Sequence, residues 1–175
     1  MKTVFHPATT RGHANHGWLD SRHTFSFANY YNPERMSFGV LRVLNDDIVS
    51  GGMGFGTHPH DNMEIISIPL KGALKHKDST GNEFVIREDD VQIMSAGTGI
   101  YHSEYNADPS DNVNFLQIWV LPKQRDNKPR YEQITYPPAD RGNAWQTVVS
   151  PEENDGTVWI NQDAYFSLGK MEAGK

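Results

Sequence analysis

Thr57-His58-Pro59-His60-Asp61-Asn62-Met63-Glu64, with Tyr101-His102-Ser103-Glu104 further along the chain, is the stretch whose reading decides the fold. Side chains of an extended backbone alternate between two faces, so His58 and His60 point to one side of a sheet. Glu64 has the same parity and joins that face if the strand stays regular. His102 and Glu104 repeat the arrangement on a second segment. Two such strands facing each other aim neutral imidazole nitrogens and a carboxylate oxygen at one point, as a divalent metal requires. The pair therefore demands a β architecture, with Glu64 or Glu104 as the carboxylate.

The flanking sequence supplies the other strands. Phe38 to Leu44 reads as a strand ended by Asn45-Asp46-Asp47, and the glycines of Gly51-Gly52-Met53-Gly54-Phe55-Gly56 permit bulges and tight turns beside the histidines. That run is not a phosphate loop, because no GKS or GKT and no helical pattern follow it. Met63 to Leu70 is apolar on both parities, so one face packs outward and the other lines an interior. Ala73 to Lys77 and Glu83 to Ile86 form a hairpin around Asp78-Ser79-Thr80-Gly81-Asn82. Val91 to Ser95 is the next strand. Asn114 to Leu121 is the most apolar, with Phe115, Gln117 and Trp119 on one face. A hydrogen-bonded core position is the favoured reading of Gln117, and a place on a cavity wall near the ligands is the other. Gln146 to Val149, Val158 to Ile160 and Ala164 to Gly169 follow the Pro-rich linker at Tyr136 to Gly142. Upstream, Thr24 to Phe27 alternates like a short strand. Arg11 to Trp18 reads as an irregular arm whose His13 and His16 are surface or hydrogen-bonding residues rather than ligands. Many short strands between turns imply an antiparallel sandwich or barrel.

Composition narrows the function classes. The 175 residues carry a net charge of −6 and no run of Lys or Arg, which argues against a protein that neutralises phosphates on nucleic acid. There is no cysteine, so any metal site uses His, Asp or Glu. The N-terminal Met1-Lys2-Thr3-Val4-Phe5-His6-Pro7 has no apolar core of a secretory signal, and no apolar run is long enough to span a membrane. No membrane association and a cytoplasmic location are the expectations.

Gly52, His58-x-His60, Glu64 and Gly72 together resemble the first motif of the cupins, and Gly99-x-x-His102-x-x-x-Asn106 resembles the second. Glu64 and Gly72 stand one residue further apart than usual, Gly97 occupies the usual proline position, and Val91 replaces the usual glycine. A narrower resemblance runs from about residue 10 to the end of the chain. Arg11-Gly12-His13, Gly17-Trp18-Leu19-Asp20-Ser21-Arg22-His23-Thr24-Phe25-Ser26-Phe27, Asn45-Asp46-Asp47, Gly56-Thr57-His58-Pro59-His60, His76-Lys77-Asp78-Ser79 and Gly97-Thr98-Gly99-Ile100-Tyr101-His102-Ser103-Glu104 are similar to the pirin family, and most similar to its bacterial members, some of which have quercetin 2,3-dioxygenase activity.

Pirins are bicupins, two jelly-roll-like antiparallel β-barrels with a metal only in the N-terminal one. The resemblance implies an all-β fold with a metal-binding barrel and N-terminal arm over residues 1–134. Residues 135–175 would be a linker and the start of an incomplete C-terminal barrel. Such a barrel would leave apolar surface and a sheet edge open, to be covered by a second copy in a homodimer. The family pattern implies His58, His60, His102 and Glu104 as metal ligands, with Glu64 in a supporting or core position. One divalent first-row metal is expected, Fe(II) above Mn, Co, Ni, Cu or Zn. The implied activity is ring cleavage of a flavonol such as quercetin by O2, with Glu104 or Glu64 as general base. Phe38, Met53, Phe55 and Phe115 are candidates for an apolar pocket. The alternative reading is a non-enzymatic metal-binding regulator that contacts protein partners.

Overall fold

The structure, a computed structural model, describes residues 4–153 and 156–174. The early strands are β1 (Gly12–Asn15), β2 (Leu19–His23), β3 (Leu41–Val49), β4 (Gly54–His60), β5 (Glu64–Lys71), β6 (Ala73–Asp78) and β7 (Glu83–Arg87). They continue as β8 (Asp90–Ser95), β9 (Ile100–Asn106), β10 (Val113–Val120), β11 (Arg130–Thr135), β12 (Trp145–Ser150), β13 (Val158–Trp159) and β14 (Phe166–Gly169). Among the described residues the only helices are short 3-10 turns at Ala8–Thr10 and Pro138–Arg141.

Two antiparallel sheets make a barrel of the cupin type. One has seven strands in the order β1-β2-β3-β10-β5-β8-β11, and the other has four in the order β4-β9-β6-β7. Leu19, Val49, Val113 and Phe115 of the larger sheet pack between the sheets against Leu74 and Ile86 of the smaller. The alternation in β5 has the expected two-sided meaning. Ile65 joins an interior cluster with Met94 and Ile100, while Ile66 and Ile68 point outward.

A three-stranded sheet, β13-β12-β14, closes that outer face. Its Val148, Val149, Val158 and Ile160 bury Ile66, Ile68, Val91, Ile93, Ile118 and Val120. The C-terminal segment thereby covers the outer face of the larger sheet. Trp145 and Tyr165 of this region remain exposed.

Three strand assignments move. The arm at Arg11 to Trp18 is not irregular: its residues enter the β1–β2 hairpin, and the strand expected at Thr24 to Phe27 lies at Leu19–His23 instead. Their inward residues are mostly polar or small (Gly12, Ala14, Ser21 and His23), with Leu19 as the one large apolar side chain, so no apolar rhythm marks them. Asn45-Asp46-Asp47 does not end β3 but runs through its middle, paired with both β2 and β10. Asn114 Nδ2 donates to Asp46 Oδ1 at 2.8 Å and to the Asp47 carbonyl at 3.0 Å, and Arg11 pairs with Asp46 at 3.3 Å. These partners come from distant strands and compensate the poor strand propensity of Asn and Asp. β11 is a further strand, in a segment to which the sequence assigns no element.

Candidate metal centre and its cavity

β4 and β9 lie side by side in the smaller sheet, with His58 opposite His102 and His60 opposite Ile100. A shift of register between Phe55 and His58 places residues of opposite parity, Phe55 and the two histidines, on one cavity wall. Such a bulge re-aims side chains in this way. Gly54 makes the approach possible: a Cβ there would lie 2.3 Å from the Glu104 carbonyl oxygen on β9. The preceding turn is made at Gly52, whose φ of 66° suits glycine.

The three imidazoles converge. Ring centroids are 4.8 Å apart for His58 and His60, 4.5 Å for His58 and His102, and 4.9 Å for His60 and His102. One nitrogen from each ring lies within 4.8 Å of the others. His58 Nδ1 donates to the Gly56 carbonyl at 2.7 Å, which leaves its Nε2 lone pair facing His102 Nε2 at 3.0 Å. Burial first, then the neighbouring rings, holds His60 down at about 4 and His102 at about 3. Both are therefore neutral at physiological pH, as ligands must be. Converging neutral nitrogens with lone pairs aimed inward fit a divalent cation.

Glu104 is buried next to this triad, and it groups with His102 and His76 rather than with all three histidines of the triad. Its carboxylate bridges to the larger sheet. Ser67 Oγ donates to Oε1 at 2.9 Å, and Gln117 Nε2 donates to Oε2 at 2.6 Å. Gln117 thus takes the second of the two readings: it lines the cavity beside His58, His60 and Glu104 while remaining hydrogen-bonded.

Glu64 does not share the histidine face. The backbone breaks at Asn62, with φ of 44°, and the chain passes from the smaller sheet to the larger. Parity does not carry across such a break. Glu64 instead shares the outward parity of Ile66 and Ile68. Its Oε2 accepts from Ser95 at 2.7 Å and from the Asn161 amide at 3.4 Å. It opens on a separate cleft with Arg130 and Trp159, where burial raises its pKa.

The cavity beside the triad has a volume of about 520 Å3, within the range of small-molecule sites. Of the aromatic candidates only Phe55 lines it. Phe38 and Met53 are exposed, and Phe115 is fully buried in the layer between the sheets. Phe27, Tyr30 and Trp119 contribute the other aromatic walls, with Phe27 edge-on to Trp119 at 5.4 Å. His13 and His16 of the arm reach the cavity rim, where His13 Nε2 meets Asp20 at 3.0 Å. Ser21, His23, Asn45 and Asp47 complete the lining. Sequence reasoning missed these four, and the one available signal was polar side chains at alternating positions.

Comparisons with known proteins identify the family. A quercetin 2,3-dioxygenase of Escherichia coli is 51% identical over 156 residues, which are 89% of this chain and 66% of that protein. A pirin-like protein of Caulobacter vibrioides is 41% identical over 170 residues, 97% of this chain and 73% of the relative. The crystal structure of the bacterial pirin YhhW from Escherichia coli in complex with nickel(II) superposes with a TM-score of 0.84 at 50% identity, covering 89% of this chain and 66% of that one. The chain therefore spans just under two thirds of the length of its Escherichia coli relatives. The Pirin family profile matches residues 4–120, more than half of the sequence. With the two-sheet barrel and the converging histidines in place, these similarities establish that the chain belongs to the pirin family.

Proposed function

We propose that the chain is a metal-dependent dioxygenase that cleaves a flavonol such as quercetin with O2. The observation that carries this reading is the convergence of three imidazoles, two of them (His58 and His60) on the wall of an aromatic-lined cavity of about 520 Å3. Likeness to a quercetin 2,3-dioxygenase and to a nickel-binding pirin supports the same assignment.

His58, His60 and His102 hold the metal in this reading, with Glu104 as the carboxylate ligand. A bound divalent first-row metal supplies Lewis acidity and a template for substrate and O2. Three imidazoles and a carboxylate suit Fe(II) and tolerate Mn, Co, Ni, Cu or Zn. Glu104 is also the general base that accepts the flavonol 3-hydroxyl proton. Ser67 and Gln117 donate to its two oxygens and hold the carboxylate in place for that transfer. Glu64, opening on a different cleft, has no part in it. Phe27, Phe55 and Trp119 exclude water and offer flat surfaces to the rings.

Aerobic turnover of quercetin, followed by O2 uptake and carbon monoxide release alongside metal analysis, tests the assignment. Wild type should turn over and carry metal, and His60→Ala should lose both. A metal-replete wild type inert toward quercetin and related flavonols would sink the substrate assignment.

A further inference from the structure

The inner face of the seven-stranded sheet carries a polar row that the metal centre alone does not require. His23, Asn45, Gln117, Ser67 and Gln92 stand directly opposite one another across five strands, β2, β3, β10, β5 and β8. All are buried. Gln117 and Ser67 are accounted for by Glu104. His23 Nδ1 and Asn45 Oδ1 are buried without a hydrogen-bond partner, and both residues line the cavity.

Beside them on β3 is Asp47, 4% exposed, with Ser21 donating to its Oδ1 from the register-matched position on β2. Asp47 lines the cavity as well. A buried polar atom left unmatched costs free energy, so such groups persist where something uses them. The same cavity has apolar lining as well, chiefly Leu19, Phe27, Phe55 and Trp119. It thus offers polar groups together with faces that fit an aromatic ring.

We propose that Asp47, flanked by Asn45 and His23, binds the peripheral hydroxyl groups of a planar aromatic ligand whose other end lies at the histidine triad. A phenolic O–H donates to Asp47 Oδ2, and the apolar walls take the ring faces. Burial pushes Asp47 up to about 7, so near neutrality its carboxyl is able to accept from one hydroxyl or donate to another. The cluster makes this end of the cavity specific for hydroxylated rings over bare ones, because a bare ring leaves the same buried groups unmatched. The inference rests on the proposed flavonol chemistry and adds which part of the ligand is recognised.

The test is equilibrium binding to the metal-loaded protein, read by quenching of tryptophan fluorescence, with metal content measured on the same samples. Two probes are compared: a flavonol with hydroxyls on its pendant ring, and the same flavonol without them. Wild type should prefer the hydroxylated probe by about tenfold, and Asp47→Asn should reduce that preference to about twofold while keeping its metal. Ser21→Ala, which removes only the group holding Asp47, serves if Asp47→Asn does not fold and should lose about threefold of the preference. Equal binding of both probes by wild type, or an undiminished preference in the variants, overturns this inference and leaves the proposed function standing. Failure of metal-loaded wild type to bind either probe overturns the proposed function, and this inference with it.

Discussion

The two faces of the seven-stranded sheet are made by the same strands and do opposite work. On the outer face Ile66, Ile68, Val91, Ile93, Ile118 and Val120 form an aliphatic layer sealed by the C-terminal sheet. On the inner face, one residue along, Asn45, Ser67, Gln92 and Gln117 form the polar row. Burying a large aliphatic side chain stabilises by roughly 1.5–3 kcal/mol, whereas burying an amide gains nothing unless it is matched. The outer face thus supplies stability that this polar row, set between the inner apolar clusters, does not. Alternation is what lets one strand do both.

The sharpest way to break this division is at the outer face. Ile66 is fully buried there, and Ile66→Ala should cost about 2–5 kcal/mol in urea denaturation while leaving metal affinity unaltered. Loss of metal affinity in the folded variant would show that the two faces are coupled. On the inner face the neighbouring Ser67→Ala removes one donor to Glu104, so metal affinity should fall about 10–100-fold, with a smaller loss of stability. Isothermal titration with nickel(II) reads this, and an unchanged affinity would separate Glu104 from the metal.

The subtlest difference concerns pH. His60 and His102 are depressed in the fold to about 4 and about 3, from a usual 6.5, chiefly by burial. The unfolded chain therefore binds these protons first, and their contribution to stability is lost as pH falls from about 6.5 through the folded values. Asp47 acts in the opposite sense: raised to about 7 from 3.8, it contributes fully below 3.8 and loses that contribution as pH rises through 7. The metal-free protein should melt at a lower temperature at pH 5 than at pH 7, with the two histidines exceeding the single carboxylate. A melting temperature that rises on acidification would count against neutral, buried histidines.

Much of the architecture was legible beforehand. Short alternating runs separated by turn residues announced β5, β6, β7, β8 and β10, and the spacing of His58 and His60 announced their shared face. What was illegible has a common cause. β1 and β2 lack apolar rhythm because their inward side chains face a cavity, and β3 was cut short at Asn45-Asp46-Asp47 for the same reason. Polar residues read locally as turns, and only partners from other strands reveal them as the inside of a sheet.

The two glutamates mark the boundary between what the chain alone determined and what required the fold. Sequence placed His58 with His60 and His102 with Glu104, because period-two geometry acts over a few residues, and similarity to pirins joined the two segments. It left the carboxylate open between Glu64 and Glu104, and similarity to pirins favoured the second. Tertiary structure separated them: Asn62 turns the backbone from one sheet to the other, which sends Glu64 to the outer cleft, while Ser67 and Gln117 draw Glu104 to the cavity. Which sheet a strand joins is decided by pairing energies summed across distant segments, and no local pattern encodes that sum.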